Sequence, residues 1–238
     1  MSYKEKYYNY QTKARGLLNK QSLESQFKKS EKWYWARLKN YLPRDKGASC
    51  LDAPCGYGNF LYFLRSKGYD NIRGYDFDES QVGLAKLLDL PAETKDIFNV
   101  LAESKNTYDL ISSFDFIEHI SKDDALKFLE QCRYKLNQNG VLILRTPCAD
   151  GPFGSHDANN DITHEWSMTS NVLKTILEMS GFSRVDMLDE RPLPINIFGL
   201  VRWLMFFPSK LIANLLCIGL GMRPPYIWSR SMIAIAHK

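Results

Sequence analysis

Asp52, Asp76, Asp96 and Asp115 each fall at or close to the end of a short apolar run. The segment after the first of them, Asp52-Ala53-Pro54-Cys55-Gly56-Tyr57-Gly58, carries two glycines one residue apart. A carboxylate offers two acceptor oxygens to a diol and a negative pole to a cation, and glycine lets a backbone pass close to a ligand. These are parts of a nucleoside site. Three histidines follow, His119, His156 and His164. A neutral imidazole can take up a proton near neutral pH, so these are the candidate bases. Asp150, His156, Asp157, Asp161 and His164 also have ligand chemistry for a divalent ion, but their spacing fits no defined metal motif and no metal is expected.

The elements that must position these residues alternate. Strands are predicted at 48–52, 71–76, 92–95, 108–114 and 140–146, with helices at 58–67, 79–88 and 122–136 between them. Such alternation implies a largely parallel sheet covered on both faces, with the ligand beyond the carboxyl ends of the strands. A long polar loop spans 147–164, and loops of that length in a compact domain usually carry function. A helix at 169–180 and strands at 184–188 and 232–237 follow. Residues 1–20 show no clean periodicity and read as an arm that folds over a cleft. Residues 22–42 read as an aromatic-faced helix closed by Pro43, packed on the body or acting as a lid. The division expected is an N-terminal basic and aromatic arm or lid at 1–44 and one α/β domain at 45–238, with an apolar helical insert at about 192–222.

A chain of 238 residues with 45% apolar and 13% aromatic content can bury one sizeable core. The net charge of +4 hides an asymmetry: residues 1–50 hold 12 Lys and Arg against 4 Asp and Glu. That basic end can face phosphate groups, nucleic acid or a membrane. The 5 cysteines are scattered among apolar neighbours without a zinc or CxxC spacing, so free thiols in a reducing cytoplasm are expected. The N-terminus lacks the apolar core of a secretory signal. In the insert, Pro194, Pro208 and Gly219 break the apolar run into pieces too short to span a bilayer. They suit a buried helical pair, a dimer surface or a membrane-surface hairpin.

With these motifs in order, residues 48–188 resemble a class I S-adenosylmethionine (SAM) dependent methyltransferase. Asp52, Gly56 and Gly58 match the family's first motif, with Pro54 where a glycine is usual. The resemblance implies that Asp76 accepts the ribose hydroxyls, that Asp96 and Ile97 contact the adenine, and that Phe77 and Phe114 flank it. It also implies a Rossmann-like sheet, mostly parallel with an antiparallel last strand and helices on both faces. A dinucleotide oxidoreductase would want GxGxxG, and Leu61 stands where the third glycine should be.

The acceptor is less constrained. His119 resembles a base of some sugar and small-molecule members, Glu118 is placed to orient it, and Trp166 is a candidate stacking face for a pyranose. The chain is similar to bacterial methyltransferases of surface polysaccharides. The first expectation is therefore O-methylation of a sugar hydroxyl on a glycan or lipid-linked precursor, at the cytoplasmic side of a membrane. A lipid or quinone-like acceptor is the alternative. Nucleic acid is not expected, since no RNA-binding module is recognisable, and a homodimer is compatible with the insert.

Overall fold

Neighbouring residues of a strand point to opposite faces of a sheet, and here both faces are apolar. Leu110, Ile143, Ile233 and Ile235 are buried on one side with Phe60, Leu64 and Val82. Ile111, Leu142, Leu144 and Ala234 are buried on the other with Leu101, Phe128, Leu129 and Leu173. Strands of this kind require helices on both faces, and the computed structural model has that architecture. It describes residues 3–14, 19–103, 105–151, 154, 156 and 159–238.

The elements run α1 (Tyr3–Ala14), α2 (Lys20–Leu38), β1 (Cys50–Asp52), α3 (Asn59–Ser66), β2 (Ile72–Asp76), α4 (Glu79–Lys86), β3 (Ala92–Thr94), α5 (Ile97–Glu103), β4 (Tyr108–Phe114), a 3₁₀ turn (Ile117–His119), α6 (Lys122–Lys135), β5 (Leu136–Pro147), α7 (Ser170–Met179), β6 (Arg184–Asp189), α8 (Ile197–Gly219) and β7 (Ser231–His237). The seven strands lie in the order β3-β2-β1-β4-β5-β7-β6. All pairs are parallel except those of β7, which is antiparallel to β5 and β6. The chain order reverses between β1 and β4, and that switch point is where an open α/β sheet accepts ligands.

The predicted strands and helices of the sheet region are present with small shifts at their ends. Three elements differ from expectation. Residues 97–103 form α5, capped by the Asp96 carboxylate, which accepts the backbone N–H groups of Phe98 (2.7 Å) and Asn99 (3.3 Å). Tyr3–Ala14 is a helix despite its weak periodicity. The insert is one continuous helix that runs through Pro208, not a broken pair, and none of its residues is buried. Pro208 cannot donate to the helix ladder, and the adjacent Ser209 hydroxyl bonds back to the Met205 carbonyl (2.9 Å). The five cysteines are free thiols, four of them buried.

Candidate active site

The first glycine loop is built by exclusion of side chains. Gly58 caps the start of α3 at φ +84°, and a Cβ there would stand 2.6 Å from Leu90 Cδ1 and 3.1 Å from the Ala85 side chain. Gly58→Ala combines left-handed strain with overpacking. It should destabilise the fold by roughly 2–4 kcal/mol, read as a lower urea midpoint at constant slope; an unchanged midpoint would contradict this packing. Gly56, at φ +50°, faces open space, so its need is conformational. The Ala53–Pro54 peptide is cis.

Two acidic side chains form the floor below this loop. Asp52 is buried and accepts the Ser112 hydroxyl (2.6 Å). Burial pushes its carboxyl up to about 8, with the Ser112 bond opposing. Asp76 accepts Gly56 N–H at Oδ2 (2.8 Å) and Asp78 N–H at Oδ1 (2.9 Å), and burial pushes it up to about 6. Phe77 N–H also bonds this carboxyl, and the acceptor capacity that remains is left for a ligand. Because the folded pKa values exceed those of the unfolded chain, both groups add stability at acid pH. That contribution falls as pH rises through about 4–6 for Asp76 and 4–8 for Asp52. A cationic ligand that favours the ionised carboxylates fits this floor.

Asp52, Asp76, Pro54, Gly56 and Phe77 line one cavity of about 1070 Å³ together with Phe114, His119 and His164. A smaller apolar recess of about 210 Å³ opens beside it, walled by Phe77, Asp96, Ile97, Phe98 and Phe116. Asp96 and Ile97 line this recess with Phe77, whereas Phe114 lines only the larger cavity. Its ring packs on Phe60 (4.9 Å between centroids) and Tyr34 (5.7 Å), and the recess takes its second aromatic wall from Phe116.

His119 and His164 are brought together, with ring centroids 4.8 Å apart. Thr163 fixes the tautomer of His119. Its hydroxyl proton is committed to Asp161 Oδ1 (2.5 Å), so Thr163 Oγ1 accepts from His119 Nδ1–H (2.9 Å), and Nε2 carries the lone pair. Burial, then the neighbouring His164, lowers the His119 pKa, so the ring is neutral at pH 7. Glu118 is buried behind it, its Oε2 accepting the Thr146 hydroxyl (2.9 Å), and burial raises its pKa. His156 is exposed and is not among the cavity-lining residues. The metal-ligand set read from the loop is not gathered either: Asp150 instead accepts Ser170 N–H at the start of α7 (3.2 Å), and Asp157 lies outside the described residues. Trp166 is not among the cavity-lining residues; it packs against the core, with its indole N–H donated to the Ile117 and Ile120 carbonyls (3.2 and 3.1 Å).

The sequence reading missed the far wall. Arg145, at the carboxyl end of β5, pairs with Asp115 and with Glu190 (2.9 Å) and lines the cavity with Trp33, Trp228 and Phe206. Arg145 follows the same strand-end rule that picked out Asp52 and Asp76. Burial works against its charge, but Asp115 and Glu190 hold the pKa well above the ordinary value. From the other side α1 crosses the opening. Lys4 Nζ donates to the His119 carbonyl (2.7 Å) and to Glu165 (2.6 Å), and the Tyr8 ring meets Phe77 and His119 edge-on.

This sheet order, with an acidic strand end, a glycine loop and a second acidic strand end around one cleft, defines the class of SAM-dependent methyltransferases. The chain belongs to the family described as "Methyltransferase domain", whose model matches residues 27–186, from within α2 into β6. Among solved structures it is similar to a SAM-dependent methyltransferase from Archaeoglobus fulgidus, at TM-score 0.67 and 22% identity, covering 90% of this chain and 97% of that one. It is also similar to the plantazolicin methyltransferase BpumL solved with SAH, at TM-score 0.57 and 14% identity, covering 92% and 90%. These are likenesses of fold. Among curated proteins, a sphingolipid C9-methyltransferase of Candida albicans is 31% identical over 42% of this chain and 22% of its own length. A tRNA U34 carboxymethyltransferase of Alteromonas mediterranea is 23% identical over 66% of this chain. The chain spans about half the length of the latter, 51%.

Proposed function

We propose that this protein methylates a hydroxyl on the polar, sugar-like head of an amphiphilic acceptor, such as a lipid-linked glycan precursor, at the cytoplasmic face of a membrane. The observation that carries this reading is the composition of the large cavity at the strand ends. Its acidic floor suits SAM, and its lining also includes the His119–His164 pair, the Arg145–Glu190 pair and Phe206 of the exposed apolar helix α8. Charged and imidazole groups that can hydrogen-bond suit a polyhydroxylated head, and an apolar part of the lining suits a lipid tail.

Bound SAM supplies a methyl group on a sulfonium, a leaving group that departs as the thioether when an acceptor oxygen takes the methyl in line. Asp76 is the proposed acceptor for the ribose diol, Asp52 the counter-charge, and the recess walled by Phe77, Asp96 and Ile97 the adenine slot. The neutral imidazole of His119, with His164 beside it, activates the acceptor hydroxyl. Helix α1 acts as the lid, held by Lys4 and Tyr8, while α2 packs into the core through Leu23, Phe27 and Leu38.

Asp52 supports a prediction. At pH 7 a carboxyl of pKa about 8 is mostly protonated, and a cation bound over it favours ionisation. SAM binding should therefore release up to about one proton near pH 7, and affinity should rise with pH towards 8. Calorimetry in two buffers of different ionisation enthalpy checks this; identical heats would contradict it.

The membrane reading rests on α8, 23 residues long with mean hydropathy 1.4 over its best window and no buried residue. From Arg191 to Lys238 the sequence has no Asp or Glu and six Lys and Arg. Each basic residue near an anionic surface contributes about 1 kcal/mol. The double substitution Arg202→Gln, Lys210→Gln should lower partition onto phosphatidylserine vesicles by roughly 30-fold, measured by co-sedimentation. Equal partition of both proteins would remove the electrostatic support.

A lipid or quinone-like acceptor is the second reading, favoured by Phe206 in the lining and by the sphingolipid relative. Incubation with methyl-labelled SAM and separate lipid-linked glycan, lipid and RNA fractions tests the assignment. Label in the lipid-linked glycan fraction supports the first reading. Label confined to lipid moves it to the second, and label confined to RNA overturns both.

A further inference from the structure

Two atoms able to ligate a cation lie opposite each other where Glu118 and His119 line the cavity. Glu118 is 2% exposed, and while Oε2 is engaged by Thr146, Oε1 is buried with no hydrogen-bond partner among the described residues. Across 3.9 Å lies His119 Nε2, which the Thr163 hydroxyl accounting leaves unprotonated. A separation of 3.9 Å is too long for a shared hydrogen bond. Two acceptors held this way repel unless a proton or a cation lies between them, and the distance suits two ligands of one ion with bonds of roughly 2.0–2.2 Å. His164 completes a set: one ligand atom from each of Glu118, His119 and His164 lies within 4.8 Å of the others. The second ring nitrogen of His119 is fixed by Thr163 and Asp161, the outer-shell support that metal-bound imidazoles have.

We propose that Glu118, His119 and His164 hold one divalent first-row cation at the acceptor side of the cavity. Two imidazoles and one carboxylate favour zinc, cobalt, iron or manganese over calcium. Three protein ligands leave positions open for the acceptor. Its use rests on the hydroxyl-methylation reading above. The cation binds the acceptor hydroxyl and lowers its pKa, the proton leaves to solvent, the oxygen forms its bond to the methyl carbon, and the carbon–sulfur bond breaks with its electron pair going to sulfur. An acceptor with two neighbouring hydroxyls would fill two open positions at once, which gives the cavity a preference for vicinal diols. The cation site itself does not depend on that reading.

The test uses the full chain, stripped with a chelator and titrated with Co²⁺ by absorbance and with Zn²⁺ by calorimetry. One ion per chain is expected, with affinity at least about tenfold weaker in Glu118→Gln and in His164→Ala. Glu118→Gln is isosteric and His164 is half-buried, and far-UV circular dichroism checks that both variants fold. Absence of binding by the folded wild type, or equal binding by wild type and both variants, overturns the proposal. A SAM titration on the same metal-free protein separates the two claims. SAM binding without cation binding removes the cation site and leaves the methyltransferase reading intact; cation binding without SAM binding does the reverse.

Discussion

His119→Ala is expected to lower methyl transfer by on the order of 100-fold or more while leaving SAM affinity within a few-fold of wild type. His119 lines the proposed acceptor part of the cavity and also edges the small recess, while the proposed contacts to the ribose and the cationic end of SAM are at Asp76 and Asp52. Its Nε2 lone pair is set by Thr163 and Asp161, and the loss follows whether that lone pair takes the acceptor proton or holds the cation. Metal titration of the variant separates the two roles. His156→Ala, outside the cavity, should retain wild-type turnover. An unchanged rate in His119→Ala, with folding intact, would move the acceptor chemistry elsewhere.

Asp76→Ala should weaken SAM binding on the order of 100-fold. Hydrogen bonds to a charged acceptor are worth about 1.5–3 kcal/mol each, and every 1.4 kcal/mol is tenfold. The variant loses the proposed contacts to two ribose hydroxyls. It also frees the Gly56 and Asp78 amides that Asp76 anchors, so part of the loss comes through the loop. Asp76 is 5% exposed at the end of a central strand, and its removal relieves a desolvated carboxyl. Binding should therefore fall without a comparable loss of stability. An equal fall in the unfolding midpoint would mean that the loop had collapsed.

The proposed donor half of the site was legible as far as its local structure goes, because local rules dictate it. A strand end, a carboxylate, glycines at positive φ and a second strand end recur in order: Asp52 ends β1, Gly56 and Gly58 take positive φ, and Asp76 ends β2. The acceptor half depends on contacts distant in sequence. Thr163 reaches His119 across 44 residues, Arg145 reaches Glu190 across 45, and Lys4 reaches Glu165 across 161. No periodicity announces such pairs. Phe114 lines the cavity with Phe77 but also packs on Tyr34 and Phe60, an aromatic packing preference that residue type alone cannot assign. The insert was misread because proline was taken to end the helix. Pro208 removes one donor, but an apolar run on both sides continues through it.

Calorimetric titration of the folded chain with SAM tests the central assignment most directly. One equivalent should bind, with proton release near pH 7, and the binding should be lost or weakened on the order of 100-fold in Asp76→Ala. Absence of binding by folded wild-type protein, or undiminished binding by Asp76→Ala, would contradict it.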